Sequence, residues 1–103
     1  MTPEGRVKAK VKGVLKRYQH IVDGFWPVPC GYGENWLDYT GLTFGGRRLD
    51  IETKKPGGKP RFRQVATIER IKRLGGAVFV IEDDNGVKAL ESYLAAVEDN
   101  DTE

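Results

Sequence analysis

Residues 49–54 read Leu-Asp-Ile-Glu-Thr-Lys, and the chain is best interpreted outward from this stretch. Apolar Leu49 and Ile51 alternate with polar residues, which predicts a β-strand that has one face in a core. Because successive side chains of a strand point to opposite faces, Glu52 and Lys54 share the other face. Taken alone, they would be an exposed ion pair worth under ~1 kcal/mol.

A second carboxylate, Asp38, ends an earlier apolar run, so we expect it on a neighbouring strand. Two carboxylates and a lysine on adjacent strands are the groups that a divalent metal ion and a water nucleophile need. Asp50 lies on the same face; we expect it either to pair with a cation of the first helix or to be exposed. The chain has one cysteine, Cys30, and one histidine, His20, which excludes a zinc site of the Cys/His type. A metal would therefore be held by oxygen atoms, which favours Mg²⁺, Mn²⁺ or Ca²⁺.

Length and composition predict one small domain. The chain has 103 residues, of which 31% are charged, and this composition argues against disorder and against a membrane span. No apolar run approaches the ~20 residues that cross a bilayer, so we expect a cytoplasmic protein. We assign residues 1–98 to the domain and residues 99–103 to a frayed acidic tail.

The net charge of +2 conceals an asymmetry along the chain. Residues 1–76 contain sixteen Lys and Arg and seven Asp and Glu, whereas residues 77–103 contain one Lys and eight Asp and Glu. A basic body favours a polyanionic partner, and nucleic acid is the leading candidate. The alternative is a solvated surface followed by a disordered acidic tail.

Apolar periodicity predicts the element order α-β-β-β-α-β-α, an α/β fold with a mixed sheet and helices packed on it. Proline at positions 27 and 29 predicts that the first strand is an edge strand or an irregular one, and the apolar run 77–81 predicts a strand buried on both faces. We expect the large aromatic residues to lie mostly in the core, with one or two at a dimer interface or stacked on an unpaired base. The predicted elements are a helix from Pro3, strands at 21–30, 36–42 and 47–54, a helix at 62–74, a strand at 77–81 and a helix from Asp84 or Asn85.

The ordered motifs resemble the virus-type replication-repair nuclease domain, a compact branch of the PD-(D/E)XK nuclease superfamily. The resemblance covers residues 2–83, about four fifths of the chain, and its one departure is Leu37, where the superfamily often has proline. The matching motifs are Thr2-Pro3-Glu4-Gly5, Gly31-Tyr32-Gly33, Leu37-Asp38-Tyr39-Thr40-Gly41, Ile51-Glu52-Thr53-Lys54, Gln64 and Gly75-Gly76-Ala77-Val78-Phe79-Val80.

This resemblance implies a restriction-endonuclease-like core and a catalytic site. Asp38, Glu52 and the main-chain carbonyl of Thr53 would bind Mg²⁺ or Mn²⁺. Lys54 would position a water, deprotonate it or stabilise the transition state. The resemblance also implies that Glu4 contacts the metal directly or through water, and that Gln64 orients Lys54 or the water.

The implied function is a metal-dependent DNA endonuclease, with branched DNA such as a four-way junction as the expected substrate and a homodimer as the expected assembly. The basic residues that follow the catalytic strand are expected to contact phosphates. Two alternatives are a nonspecific, flap or nicking nuclease of the same fold and a non-catalytic DNA-binding accessory protein. The expected phosphate contacts are Lys55, Lys59, Arg61 and Arg63.

Overall fold

The computed structural model describes residues 1–28 and 36–101. In this part of the chain, three helices and four strands follow one another in the predicted order. The Gly31-Tyr32-Gly33 motif, Pro29 and Cys30 lie outside the described residues. The elements are α1 (Pro3–Arg17), β1 (Val22–Phe25), β2 (Tyr39–Thr43), β3 (Arg47–Thr53), α2 (Phe62–Arg73), β4 (Ala77–Ile81) and α3 (Asp84–Asp101).

The four strands form one mixed sheet in the spatial order β1-β2-β3-β4. β1 pairs antiparallel with β2, and β2 pairs antiparallel with β3. β3 and β4 are parallel, as expected when a helix connects consecutive strands. The mixed α/β fold is therefore confirmed, and β1 is an edge strand, one of the two predicted alternatives. Its predicted extent to residue 30 was wrong, because β1 ends at Phe25 and Pro27 follows it. The prediction for β4 was wrong, because β4 is the other edge strand and only Ala77 and Ile81 in it are buried.

The alternation along β3 separates the core from the candidate site. Leu49 and Ile51 are fully buried and pack in the cluster formed with α1 and α3. Asp50 and Glu52 therefore point to the opposite face, which α2 partly covers through Ile68. Residues 49–54 thus supply the centre of the hydrophobic core on one face of the sheet and the polar groups of the candidate site on the other.

Helix α1 begins as its sequence predicts. The Thr2 hydroxyl accepts a hydrogen bond from the main-chain N–H of Gly5 at 3.0 Å, and Pro3 occupies the first helical position, where its missing N–H costs nothing. Val7, Val11 and Leu15 lie on the buried stripe, whereas Glu4 is exposed rather than on that stripe.

Part of the negative charge of the C-terminal segment forms ion pairs between α3 and the basic helix α1. Lys10 pairs with Asp84, and Arg17 pairs with Glu91 at 2.7 Å. These acidic residues recur every seven positions, so they lie along one side of α3 and face the basic helix α1. Because the pairs are exposed, each contributes little to stability. The acidic segment therefore neutralises part of the basic body instead of forming only a free tail.

The C-terminal helix is longer than predicted. α3 continues to Asp101 and includes residues 99–101, which we assigned to the frayed tail; residues 102–103 lie outside the described residues. None of the helices in the described part of the chain is both long enough and apolar enough to span a membrane.

Two glycines bring β1 and β2 close together beneath an aromatic ring. Gly24 and Gly41 are paired across the two strands. A Cβ added at Gly41 would lie 2.5 Å from the main-chain oxygen of Asp23 and 3.0 Å from the Tyr39 hydroxyl. Burial of Tyr39, together with the nearby Asp23 carboxylate, raises the pKa of the tyrosine hydroxyl above its ordinary value. The close approach requires glycine at both positions.

Substituting alanine for two glycines is expected to give opposite changes in stability. Gly41→Ala should lower the free energy of unfolding by about 1–3 kcal/mol, because main-chain atoms must move. Gly13→Ala should raise it by about 0.5–1 kcal/mol, since Gly13 lies within α1 and an added Cβ has no atom within 4 Å. Urea unfolding of both variants measures these values, and a stabilised Gly41→Ala would contradict the packing described here.

Candidate active site

The carboxylate of Glu52 lies at the centre of the candidate site. Its side chain is almost fully buried, and three donors from different parts of the chain surround it. Its Oε1 accepts a hydrogen bond from the main-chain N–H of Asp38 at 3.1 Å. Its Oε2 accepts one from Gln64 Nε2 at 2.8 Å and lies 3.0 Å from Lys54 Nζ. The structure therefore brings together four of the predicted residues, and it excludes the alternative of an exposed Glu52–Lys54 pair.

Asp38 is half-buried just before β2, and one residue of β3 holds it in place. Its Oδ2 accepts hydrogen bonds from the main-chain N–H of Thr53 at 2.9 Å and from the Thr53 hydroxyl at 2.7 Å. Its other oxygen, Oδ1, has no hydrogen-bond partner among residues 1–28 and 36–101. The Thr53 hydroxyl was not predicted as a functional group. The position of Thr53 directly after Glu52 in the sequence could have indicated that role.

Gln64 connects the start of α2 to the site. Its Oε1 accepts a hydrogen bond from the main-chain N–H of Arg61 at 3.0 Å. Because an N–H can only donate, this contact fixes which end of the amide is oxygen, and the NH₂ group must face Glu52. Gln64 thus orients Glu52, whereas the sequence led us to expect that it orients Lys54 or a water.

Lys54 also lines a cavity of about 350 Å³ beside the carboxylates. Glu4, Lys55, Lys59 and Arg61 line the same cavity. Glu4 makes no hydrogen bond or ion pair with the predicted site residues in the described part of the chain. Its contact with a metal, direct or through water, stays a prediction.

Asp50 is fully buried and is paired within its own strand. Arg48 forms two hydrogen bonds to it, from Nε at 2.6 Å and from Nη2 at 3.0 Å, and the Thr40 hydroxyl donates a third at 3.3 Å. Both expectations for Asp50 were wrong, because α1 packs on the opposite face of the sheet and the carboxylate is not exposed. Because Arg48 and Asp50 are two residues apart in a strand, their side chains point to the same face. The sequence could therefore have predicted this ion pair.

The oxygen atoms at the site fit a hard divalent cation. In the described residues no group of three or more His, Cys, Asp or Glu side chains is placed to hold a metal. Mg²⁺ typically takes only one or two carboxylates and keeps several waters. Asp38 and Glu52 supply two carboxylates. The carbonyl of Thr53 lies on the same side of its strand as the N–H that binds Asp38, because both groups of one strand residue point the same way.

Four predicted phosphate contacts follow β3 in sequence. Lys55, Lys59 and Arg61 are exposed beside Lys54 in the cavity, and Arg63 is exposed in the first turn of α2. The start of α2 carries no acidic residue, so its main-chain N–H groups add positive potential there. This end of the sheet is therefore cationic around two acidic site residues.

Comparison with known proteins gives no relative. No protein-family model matches the chain, and no curated protein matches it in sequence.

The anchoring of Asp38 can be tested with two threonines. Thr53→Val should lower the free energy of unfolding by about 1.5–3 kcal/mol, because it removes a hydrogen bond to a charged group. Thr43→Val is the matched control, since the Thr43 hydroxyl is also buried and donates to a neutral acceptor, the main-chain carbonyl of Arg47, so its loss should cost only about 0.5–1.5 kcal/mol. Equal losses in urea unfolding would contradict a special role for the Thr53 hydroxyl.

Proposed function

We propose that the chain is a divalent-metal-dependent endonuclease that hydrolyses phosphodiester bonds in DNA, as its resemblance to the virus-type replication-repair nuclease domain implies. One observation carries the proposal: the main-chain N–H of Asp38, the Lys54 ammonium and the Gln64 amide converge on the Glu52 carboxylate. These residues lie on three separate segments, and the sequence alone predicts each of them as a site residue.

The element order supports a PD-(D/E)XK-type core. The acidic residue Glu52 and the lysine lie at the end of β3, which is the second strand of an antiparallel hairpin and pairs in parallel with β4. Asp38 lies just before the first strand of that hairpin. This arrangement presents both carboxylates and the lysine at one end of the sheet, next to the start of α2.

Each residue has a distinct part in the proposed hydrolysis. Asp38 and Glu52, with the Thr53 carbonyl, would hold the metal, and a bound Mg²⁺ or Mn²⁺ would act as a Lewis acid toward the phosphate and the attacking water. Gln64 fixes the orientation of Glu52, so the carboxylate needs little reorganisation. This preorganisation favours catalysis because the groups are already aligned when charge develops.

Lys54 is suited to stabilising negative charge. An ammonium group has three donors and no acceptor, so in its ion pair with Glu52 it cannot accept a proton from water. In this state Lys54 can donate to a phosphate oxygen or hold the oxygen of the attacking water. The geometry therefore favours electrostatic stabilisation and positioning over general-base catalysis.

The cationic end of the sheet supports a DNA substrate. Lys55, Lys59 and Arg61 surround the cavity that Lys54 lines, and lysine and arginine neutralise phosphates without reading sequence. We therefore propose recognition of DNA shape, with branched DNA such as a four-way junction as the leading substrate. A homodimer would supply the two sites that symmetric cleavage of a junction requires.

Cleavage of end-labelled DNA tests this function. We expect wild-type protein to cut a four-way junction in Mg²⁺ and to leave it intact in EDTA. Glu52→Gln and Lys54→Met should each slow cleavage by about 10²–10³-fold, since each removes a charge from the reacting centre. Linear duplex, flap and single-stranded DNA, run in parallel, report which shape is preferred.

Matched controls come from the exposed face of α2. Glu69→Gln and Lys72→Met make the same changes of charge at exposed positions and should cleave as wild type does. Glu52→Gln cleaving at the wild-type rate would show that the assigned site is wrong. Junction binding without cleavage in any metal would favour the non-catalytic accessory protein, and equal cleavage of all shapes would favour the nonspecific nuclease.

A further inference from the structure

An open apolar groove of about 570 Å³ lies beside the candidate site. It occupies the part of the sheet, on β1 and β2, that α2 leaves uncovered. Three large apolar side chains that line it are mostly exposed: Phe25 at 62%, Trp36 at 52% and Leu42 at 56%. Trp36 is one of the aromatic residues that we expected mostly in the core, with one or two at a dimer interface or stacked on an unpaired base, and its exposure excludes the core for this residue.

The groove lies on the same face of the sheet as the candidate site, although the described residues that line it include no predicted catalytic residue. Arg48 lines the groove and lies four residues before Glu52 on the same face of β3, at a separation of roughly 13 Å. Trp36 lies two residues before Asp38, whose main-chain N–H binds Glu52. A strand of DNA with its scissile phosphate at Glu52 would therefore reach this groove with a nucleotide near the scissile phosphate.

The cation in the groove is fixed in place. Arg48 uses two of its five N–H donors on the buried Asp50 carboxylate, and its guanidinium lies 5.6 Å from the centre of the Trp36 ring. Among the described residues, three of its N–H donors have no hydrogen-bond partner. Because an ion pair with the buried Asp50 sets the geometry of the partly exposed Arg48, these donors are presented without the entropy cost that a flexible side chain would have.

Aromatic faces beside a fixed guanidinium are the groups that bind an unpaired nucleotide. A base that is not stacked in a duplex can stack on an aromatic ring, and the guanidinium can contact its phosphate. Asp23, the other charged residue that lines the groove in the described part of the chain, is acidic. It would repel a phosphate but can accept a hydrogen bond from the amino group of a base, so the backbone should lie on the Arg48 side.

We propose that this groove binds an unpaired nucleotide of the DNA strand that the candidate site cleaves, with its base stacked on Trp36. This inference rests on the proposed function and sharpens its substrate class. The preferred substrate is DNA in which a nucleotide near the scissile phosphate is unpaired, as at a branch point, a gap or a flap.

The two tryptophans of the chain allow a direct test. Trp26→Phe leaves Trp36 as the only tryptophan. Trp36→Phe leaves Trp26, which lies on the opposite side of the sheet beneath Lys8 and Lys12. In EDTA, so that no DNA is cut, a short oligothymidylate should quench the fluorescence of Trp36 saturably and leave that of Trp26 almost unchanged. Absence of quenching at Trp36, or equal quenching of both, would overturn the proposal.

Affinity provides a second measurement. Trp36→Ala should weaken binding of the oligothymidylate by about 5- to 150-fold, whereas Trp36→Phe should restore most of the affinity because it keeps an aromatic face. Binding of fully paired duplex should be unchanged in both variants. Equal weakening for duplex and single strand would overturn the proposal, as would a change in solution mass on Trp36→Ala with no effect on DNA, which would assign the groove to a second copy of the chain.

The outcomes separate this inference from the proposed function. Saturable quenching of Trp36 by a protein that cleaves no DNA would support the groove and reject the nuclease. Metal-dependent cleavage without quenching of Trp36 would support the nuclease and reject the groove.

Discussion

A carboxylate that is only 2% exposed, as Glu52 is, must be surrounded by hydrogen-bond donors, because removing an ion from water costs several kcal/mol. The donors come from the segment before β2, from β3 itself and from the start of α2. The Glu52 carboxylate therefore restrains the positions of all three of these segments. The hairpin register sets where Asp38 lies, and the start of α2 sets where Gln64 lies. The polar site and the arrangement of these elements thus depend on one another.

The opposite face of the sheet provides the stability that such a site requires. Leu49, Ile51 and Ile81 are fully buried there against α1 and α3, so the larger hydrophobic cluster lies on that face, and a smaller one packs under α2 on the polar face. This arrangement allows β3 to carry Asp50 and Glu52 on its other side. The acidic helix α3 and the basic helix α1 pack together on the face opposite α2, and the start of α1, at Glu4, borders the cationic cavity.

Much of this arrangement follows from local rules and could be predicted. The strict alternation in β3 predicted the shared face of Glu52 and Lys54, and helical periodicity predicted the buried stripe of α1. The predictions that failed depend on tertiary neighbours. The apolar run of β4 does not reveal that no strand lies on its outer side. Likewise, the exposure of Trp36 depends on how much of the sheet α2 covers, and the length of a helix does not specify this.

We propose that Asp38 and Glu52 form a site for a divalent cation, and binding of Mn²⁺ followed by electron paramagnetic resonance tests for this site. We expect wild-type protein and Glu69→Gln to bind Mn²⁺ with the same affinity, and Asp38→Asn to bind at least about tenfold more weakly. Asparagine retains an oxygen that can accept the Thr53 hydrogen bonds, so the fold should persist in this variant. Equal affinity in all three proteins would show that Asp38 is not a metal ligand.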